Sequence, residues 1–250
     1  MAEAHTKIRL PRFTLSIWPH FDYHGYMPGR NVFLGNNEFY HVLNRGITSQ
    51  KVFNSEKNYF QFIDRMNYYR NVSPLMSYAQ FFDLPMSIRL NILEEAQASG
   101  EQLVEIVAYC LMPNHFHLIL KQISNNGISN FVAKLTNSYT RYYNIKHHRL
   151  GPILQGRFKA VLVESDEQLI HLSRYIHLNP YSAGLVSTLD ELKQFSYSSL
   201  ANYLFGQKGF CVPNVVLDQF SDRDDYWRFV TDHADYQRSL QVIKALVLES

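Results

Sequence analysis

Two apolar runs joined by Met112-Pro113-Asn114 constrain this chain more than any other stretch. The first, Val104 to Leu111, leads into the turn, and His115-Phe116-His117-Leu118-Ile119-Leu120 leaves it. Proline fixes φ and asparagine bonds its own backbone, so both favour a reversal of direction here. The runs therefore predict adjacent antiparallel strands. Side chains alternate faces along a strand, which puts His115 and His117 on one side and Phe116 on the other. Imidazoles spaced by two strand positions, roughly 7 Å, can share a metal ion.

Charge distribution adds a partner. Net charge is only +2, yet no Asp or Glu lies between Glu105 and Glu164. That interval carries Lys121, Lys134, Arg141, Lys146, Arg149, Arg157 and Lys159, with His147 and His148. A cationic surface beside the histidine pair suits a polyanion, most simply nucleic acid. Acidic residues gather elsewhere, notably from Asp218 to Asp235. No apolar run approaches the ~20 residues of a membrane span. The charged start, Met1 to Arg12, lacks the apolar core of a secretion signal, and two cysteines make no disulfide framework, so a reduced, cytoplasmic setting is expected.

Along the chain, residues 1–37 read as an irregular N-terminal arm. Glu38 to Arg45 predicts a strand ended by Gly46, and Asn54-Ser55 opens a helix whose apolar residues recur to about Tyr69. Residues 71–85 read as loop and Met86–Ala98 as a short, insert-like helix. After the central strands, Ile128 to Lys146 is an amphipathic helix with Lys134 and Arg141 on its polar side. A fourth strand is expected over Arg157–Val163, where Arg157 and Lys159 share a face and are candidate phosphate contacts. Ser165-Asp166-Glu167-Gln168 fits a capping box, and Pro180 should stop the helix near Leu178. One further helix is predicted from Glu191 to Tyr203. Residues 204–250 read as a separate helical extension, with helices over Asp222–His233 and Tyr236–Leu248.

On the helix from Asp166, Tyr175 and Asn179 are four apart and share a face, with Asn179 at the free end. A phenol beside a metal held by two imidazoles and an amide oxygen suits attack on a phosphodiester. Amide oxygen is a hard donor, so Mg²⁺ or Mn²⁺ is the expected ion. His177 lies about 200° round the helix from Tyr175 and should face away from the site. Tyr139, Tyr142 and Tyr143 are rival nucleophiles or base-stacking residues, and His41 is weighed as a further ligand or acid against a core histidine.

Five blocks in order resemble one family. They are Phe39-Tyr40-His41-Val42-Leu43-Asn44-Arg45-Gly46, Met112 to Leu118, Gln155-Gly156-Arg157-Phe158, Tyr175-Ile176-His177-Leu178-Asn179-Pro180 and Tyr181 to Val186. Together they resemble the HUH single-tyrosine transposases and, more narrowly, the REP-associated tyrosine transposases, over residues 38–203. The resemblance implies an α+β fold: a palm-like (ferredoxin/RRM-like) antiparallel sheet of four to five strands with helices on one face, here followed by the helical extension. It implies a single-stranded DNA endonuclease and strand transferase acting on hairpin-forming DNA in a bacterial, nucleoid-associated setting. On that resemblance His115, His117 and Asn179 are metal ligands, and Tyr175 is the nucleophile that forms a 5′-phosphotyrosine link. Both monomers and homodimers occur in such a family.

Two other readings stand beside it. A nucleic-acid-binding regulator that keeps the fold but not the chemistry would need no metal. A hydrolase of small phosphates would need carboxylates near the histidine pair, and the acid-free interval supplies none.

Overall fold

The computed structural model describes residues 33–71, 76–207, 209–232 and 234. The predicted helix over Tyr236–Leu248 and nearly all of the N-terminal arm lie outside them. Four strands, β1 (Phe39–Arg45), β2 (Val104–Met112), β3 (His115–Gln122) and β4 (Lys159–Val163), form one antiparallel sheet in the order β2-β3-β1-β4. Pro113 and Asn114 make the reversal between β2 and β3, so that Met112 pairs with His115 and Cys110 with His117. The loop after β1 locks this reversal. Val52 and Phe53 donate backbone N–H groups to the Pro113 carbonyl, and Gly46 donates to Asn114. A Cβ at Gly46 would sit 2.2 Å from the Gln50 carbonyl oxygen, so only glycine permits that approach.

Helices α1 (Glu56–Tyr69) and α4 (Gly127–Lys146) cover one face. They bury Phe62, Met66, Phe131, Leu135 and Tyr139 against Tyr40, Val42, Phe116, Leu118 and Leu120 of the sheet. Between α1 and β2 lie α2 (Tyr78–Phe82) and α3 (Met86–Ala98). The first falls in a stretch expected to be loop, because Ser77 and Gln80 complete a capping box that starts one helical turn.

The opposite face is also covered. There α5 (Asp166–Ser182) packs Leu169, Leu172 and Ile176 with Val107, Cys110, Met112 and Ile119. Helices thus flank both faces of the sheet rather than one. The unbroken apolar run of β2 carries the reason: a strand buried on both sides has no polar alternation. Chain beyond Gly206 was expected to stand apart, yet Val216, Tyr226 and Val230 join this second core. They come from α8 (Asn214–Leu217) and α9 (Arg223–Thr231).

Helix α5 does not stop at Leu178. It runs four residues further with Pro180 inside it, and residues 178–182 are all buried. Packing outweighs the proline penalty of about 3 kcal/mol, and Ala183 donates to the Asn179 carbonyl to close the last turn. The single helix expected over Glu191–Tyr203 is two, α6 (Leu189–Lys193) and α7 (Leu200–Phe205). The chain between them is drawn off to the outer edge of β2, where Leu111 donates to Tyr197 and Ser199 to Tyr109.

Candidate active site

His115 and His117 stand on the α5 side of β3, as strand alternation requires, with ring centroids 4.9 Å apart and rings nearly perpendicular. Each ring has one nitrogen already engaged. His117 Nδ1 lies 2.9 Å from His41 Nε2, and His115 Nδ1 lies 2.6 Å from Asn114 Oδ1. Both rings therefore keep Nε2 for another partner. Orienting a histidine through its second nitrogen is what a metal ligand needs. Burial, then the charge of Arg45, pushes the His115 pKa down to about 4. Burial and the neighbouring His115, His41 and Arg45 hold His117 well below its ordinary value. Both rings are neutral at neutral pH and so competent as donors.

Tyr175 lies against His117 within the same chain. Its ring lies edge-on to His117 at 5.6 Å and to His41 at 6.4 Å, centroid to centroid. Burial raises the phenol's pKa and Cys110 adds to the rise, while Arg45 and the Asn179 amide pull it back. Asn179, one turn on, is only 4% exposed and its Nδ2 has no hydrogen-bond partner. Because α5 continues past it, Asn179 is held mid-helix rather than at the free end the sequence suggests. Its side chain also bonds the Tyr175 phenol, so the orphan is the Nδ2 N–H alone, and the amide oxygen is the atom a cation would take. Among the described residues no three His, Cys, Asp or Glu side chains gather into a metal cage. The donors that fit a divalent ion here are His115, His117 and the Asn179 amide, all uncharged.

The remaining expectations divide. Lys159 is exposed on β4 opposite Leu43, which in turn pairs with His117, so it stands in the same row of the same sheet face. Arg157 is exposed two residues earlier. Lys134 and Arg141 belong to α4, which covers the other face, and are not brought to the histidine pair. Tyr139, Tyr142 and Tyr143 lie on that helix too, with hydroxyls bonded to Val52, Asn58 and Lys51 respectively. His177 faces away from the pair, as its helical position predicts, and bonds Tyr226 and Ser199.

Of two further residues at the site, the sequence reading weighed one and missed the other. His41, weighed there mainly as a core histidine, is 2% exposed and buttresses His117. Arg45 pairs with His115 across β1 and β3 and is exposed at the mouth of the site. The signal was available: His41, Leu43 and Arg45 alternate on β1, and one antiparallel pairing would have laid them beside His117 and His115.

Comparison with known proteins bears on the family and the fold. A family model described as "Transposase IS200 like" matches residues 68–179, a span that holds both histidines, Tyr175 and Asn179. A Haemophilus influenzae protein provisionally named a REP-associated tyrosine transposase is 31% identical over 105 residues. That alignment takes in 38% of this chain and 58% of the relative, so the chain spans little more than half the length of that curated protein. A solved REP-associated tyrosine transposase bound to a REP hairpin superposes with a TM-score of 0.50 at 14% identity. It covers 74% of this chain and 91% of the other. Residues 68–179 are thus similar to the IS200-like transposases, and the sheet with its helices shares the fold of a solved REP-associated tyrosine transposase.

Proposed function

We propose that this chain is a metal-dependent single-stranded DNA endonuclease and strand transferase that works on hairpin-forming DNA through Tyr175. One observation carries the reading: the phenol of Tyr175 sits edge-on to His117 in the same chain, with the Asn179 amide one turn away. In the reaction the Tyr175 oxygen attacks the scissile phosphorus and forms a Tyr–O–P bond. The bond from phosphorus to the 3′ oxygen breaks, and that oxygen leaves as a 3′-hydroxyl after taking up a proton. The 5′-phosphate stays on the enzyme, and reversal onto a new 3′-hydroxyl rejoins the strand without an external energy source. A divalent ion such as Mg²⁺ or Mn²⁺, held through the open Nε2 atoms of His115 and His117 and by Asn179, would neutralise charge on the scissile phosphate. Arg45 offsets the cost of a phenolate in a buried setting and, with Lys159 and Arg157, faces the strand being cut. Lys134 and Arg141, on the far helix, suit contact with the hairpin stem. The setting that fits such chemistry is the bacterial cytoplasm, where DNA is the substrate at hand; among the described residues no helix is long and apolar enough to cross a membrane.

The test uses 3′-labelled hairpin oligonucleotides with randomised single-stranded flanks and Mn²⁺. Wild-type protein should give a label-bearing band that survives denaturation, and Tyr175→Phe should give none while still binding DNA. Equal linking by the two proteins, or binding without linking by wild type, overturns the catalytic reading. The second of these results leaves a binding regulator.

A further inference from the structure

Helix α5 has a second polar stripe on its inner side. Ser173 and His177 are four residues apart, and both are completely buried. His177 Nδ1 lies 2.6 Å from the Tyr226 hydroxyl, and its Nε2 lies 2.8 Å from Ser199 Oγ. Ser199 Oγ accepts from the Tyr109 N–H at 2.9 Å and donates to the Tyr109 carbonyl at 3.3 Å. Ser173 Oγ lies 3.1 Å from the same Tyr226 hydroxyl. One assignment of protons satisfies the chain: Tyr226 donates to His177, His177 to Ser199, and Ser199 to the β2 backbone. Tyr203 closes the ring from the side, at 4.6 Å from His177 and 4.9 Å from Tyr226.

These bonds tie three regions to one imidazole. Tyr226 belongs to α9, Ser199 to the segment on the edge of β2, and His177 to the turn of α5 between Tyr175 and Asn179. A histidine bonded at both nitrogens fixes the rotation of its helix, because either bond is lost when the ring swings. We infer that Tyr226 and Ser199 are positioning residues: through His177 they clamp α5 at the rotation that brings Tyr175 and Asn179 to His115 and His117. The C-terminal segment is then part of the catalytic machinery by geometry although it touches no reacting atom. The inference rests on the proposed function for its catalytic consequence, and on the hydrogen bonds alone for the helix position.

The experiment compares Tyr226→Phe and Ser199→Ala with Val230→Ala. Val230 is buried on the same helix, in the same core, without a polar contact to α5. At saturating hairpin oligonucleotide, Tyr226→Phe and Ser199→Ala should each slow single-turnover linking by about 10- to 100-fold, the range for small misplacement of a reacting group. DNA affinity should stay at the wild-type value. Val230→Ala should lower the melting temperature and leave the linking rate of folded protein unchanged. A wild-type rate in either polar variant, or a loss matched by Val230→Ala, overturns the clamp.

A second readout does not depend on activity. With 3-fluorotyrosine at position 175, the ¹⁹F line should move in Tyr226→Phe and Ser199→Ala and stay in place in Val230→Ala. That pattern supports the clamp even if wild type links no DNA, a result that sinks only the transposase reading. A line that stays put in both polar variants overturns the clamp.

Discussion

The two faces of the sheet are both roofed by helices, yet they were built to different rules. Under α1 and α4 the interior is aromatic: Phe53, Phe62 and Tyr139 interlock at centroid distances between 5.1 and 5.4 Å, and the hydroxyls of Tyr139, Tyr142 and Tyr143 end on backbone or side-chain oxygens. Under α5 the apolar core borders a histidine cluster, with His41 and His117 stacked and Tyr175 edge-on to both. His41 Nδ1, Asn179 Nδ2 and Ser182 Oγ are buried without partners. Leaving such a group unpaired costs about 1–3 kcal/mol, which a fold tolerates where a ligand completes the bonding. On the proposed function, the α1 and α4 side holds the chain together while the α5 side adds the reacting groups to its core.

Substitutions on the two faces should therefore fail in different ways. Phe62→Ala, in the aromatic layer, should cost about 3–5 kcal/mol of stability. Chemical denaturation would show it, and linking by the folded fraction should stay at wild type. A variant that stays stable but loses linking would erase the division of labour. On the other face, His41→Leu should weaken Mn²⁺ binding by about 10- to 100-fold, as expected when the outer partner of a metal-ligating histidine is lost. Titration calorimetry reads this directly, and His41→Gln, which can still bond His117, should recover part of it. Tyr139→Phe removes a buried hydroxyl bonded to the Val52 carbonyl at 2.6 Å. It should cost roughly 1 kcal/mol, the net worth of such a bond, with no effect on linking. The smallest effect falls to Lys159→Ala: DNA binding should weaken only a few-fold, and the slope of log affinity against log salt should drop by about 1. An unchanged slope would remove Lys159 from the DNA path.

The parts of this picture that sequence made legible are those set by local rules. Strand alternation put His115 and His117 on one face, helical spacing put Tyr175 beside Asn179, and the same spacing turned His177 away. What stayed hidden depends on contacts between distant segments. Nothing near Pro180 announces that burial of residues 178–182 would carry the helix through it. The Ser-rich stretch from Ser196 to Ser199 satisfies a helical pattern well enough, but the unpaired edge of β2 competes for its backbone and wins. The position of His41 and Arg45 needed the β1–β3 register, which no property of β1 alone supplies. Lys134 and Arg141 share the acid-free interval with the histidines, and nearness in sequence gave no sign that α4 would cross to the opposite side.

The outer edge of β2 is finished by chain from far downstream: Tyr197 and Ser199 pair with one part of it, and Val212 bonds the Ile106 carbonyl in another. A strand so apolar, stripped of those segments, would offer a bare row of amides and carbonyls to any passing extended peptide. A cut on the N-terminal side of Val212 should thus show itself as clumping during expression. Such a cut also removes Tyr226, so solubility and the seating of α5 would be forfeited together.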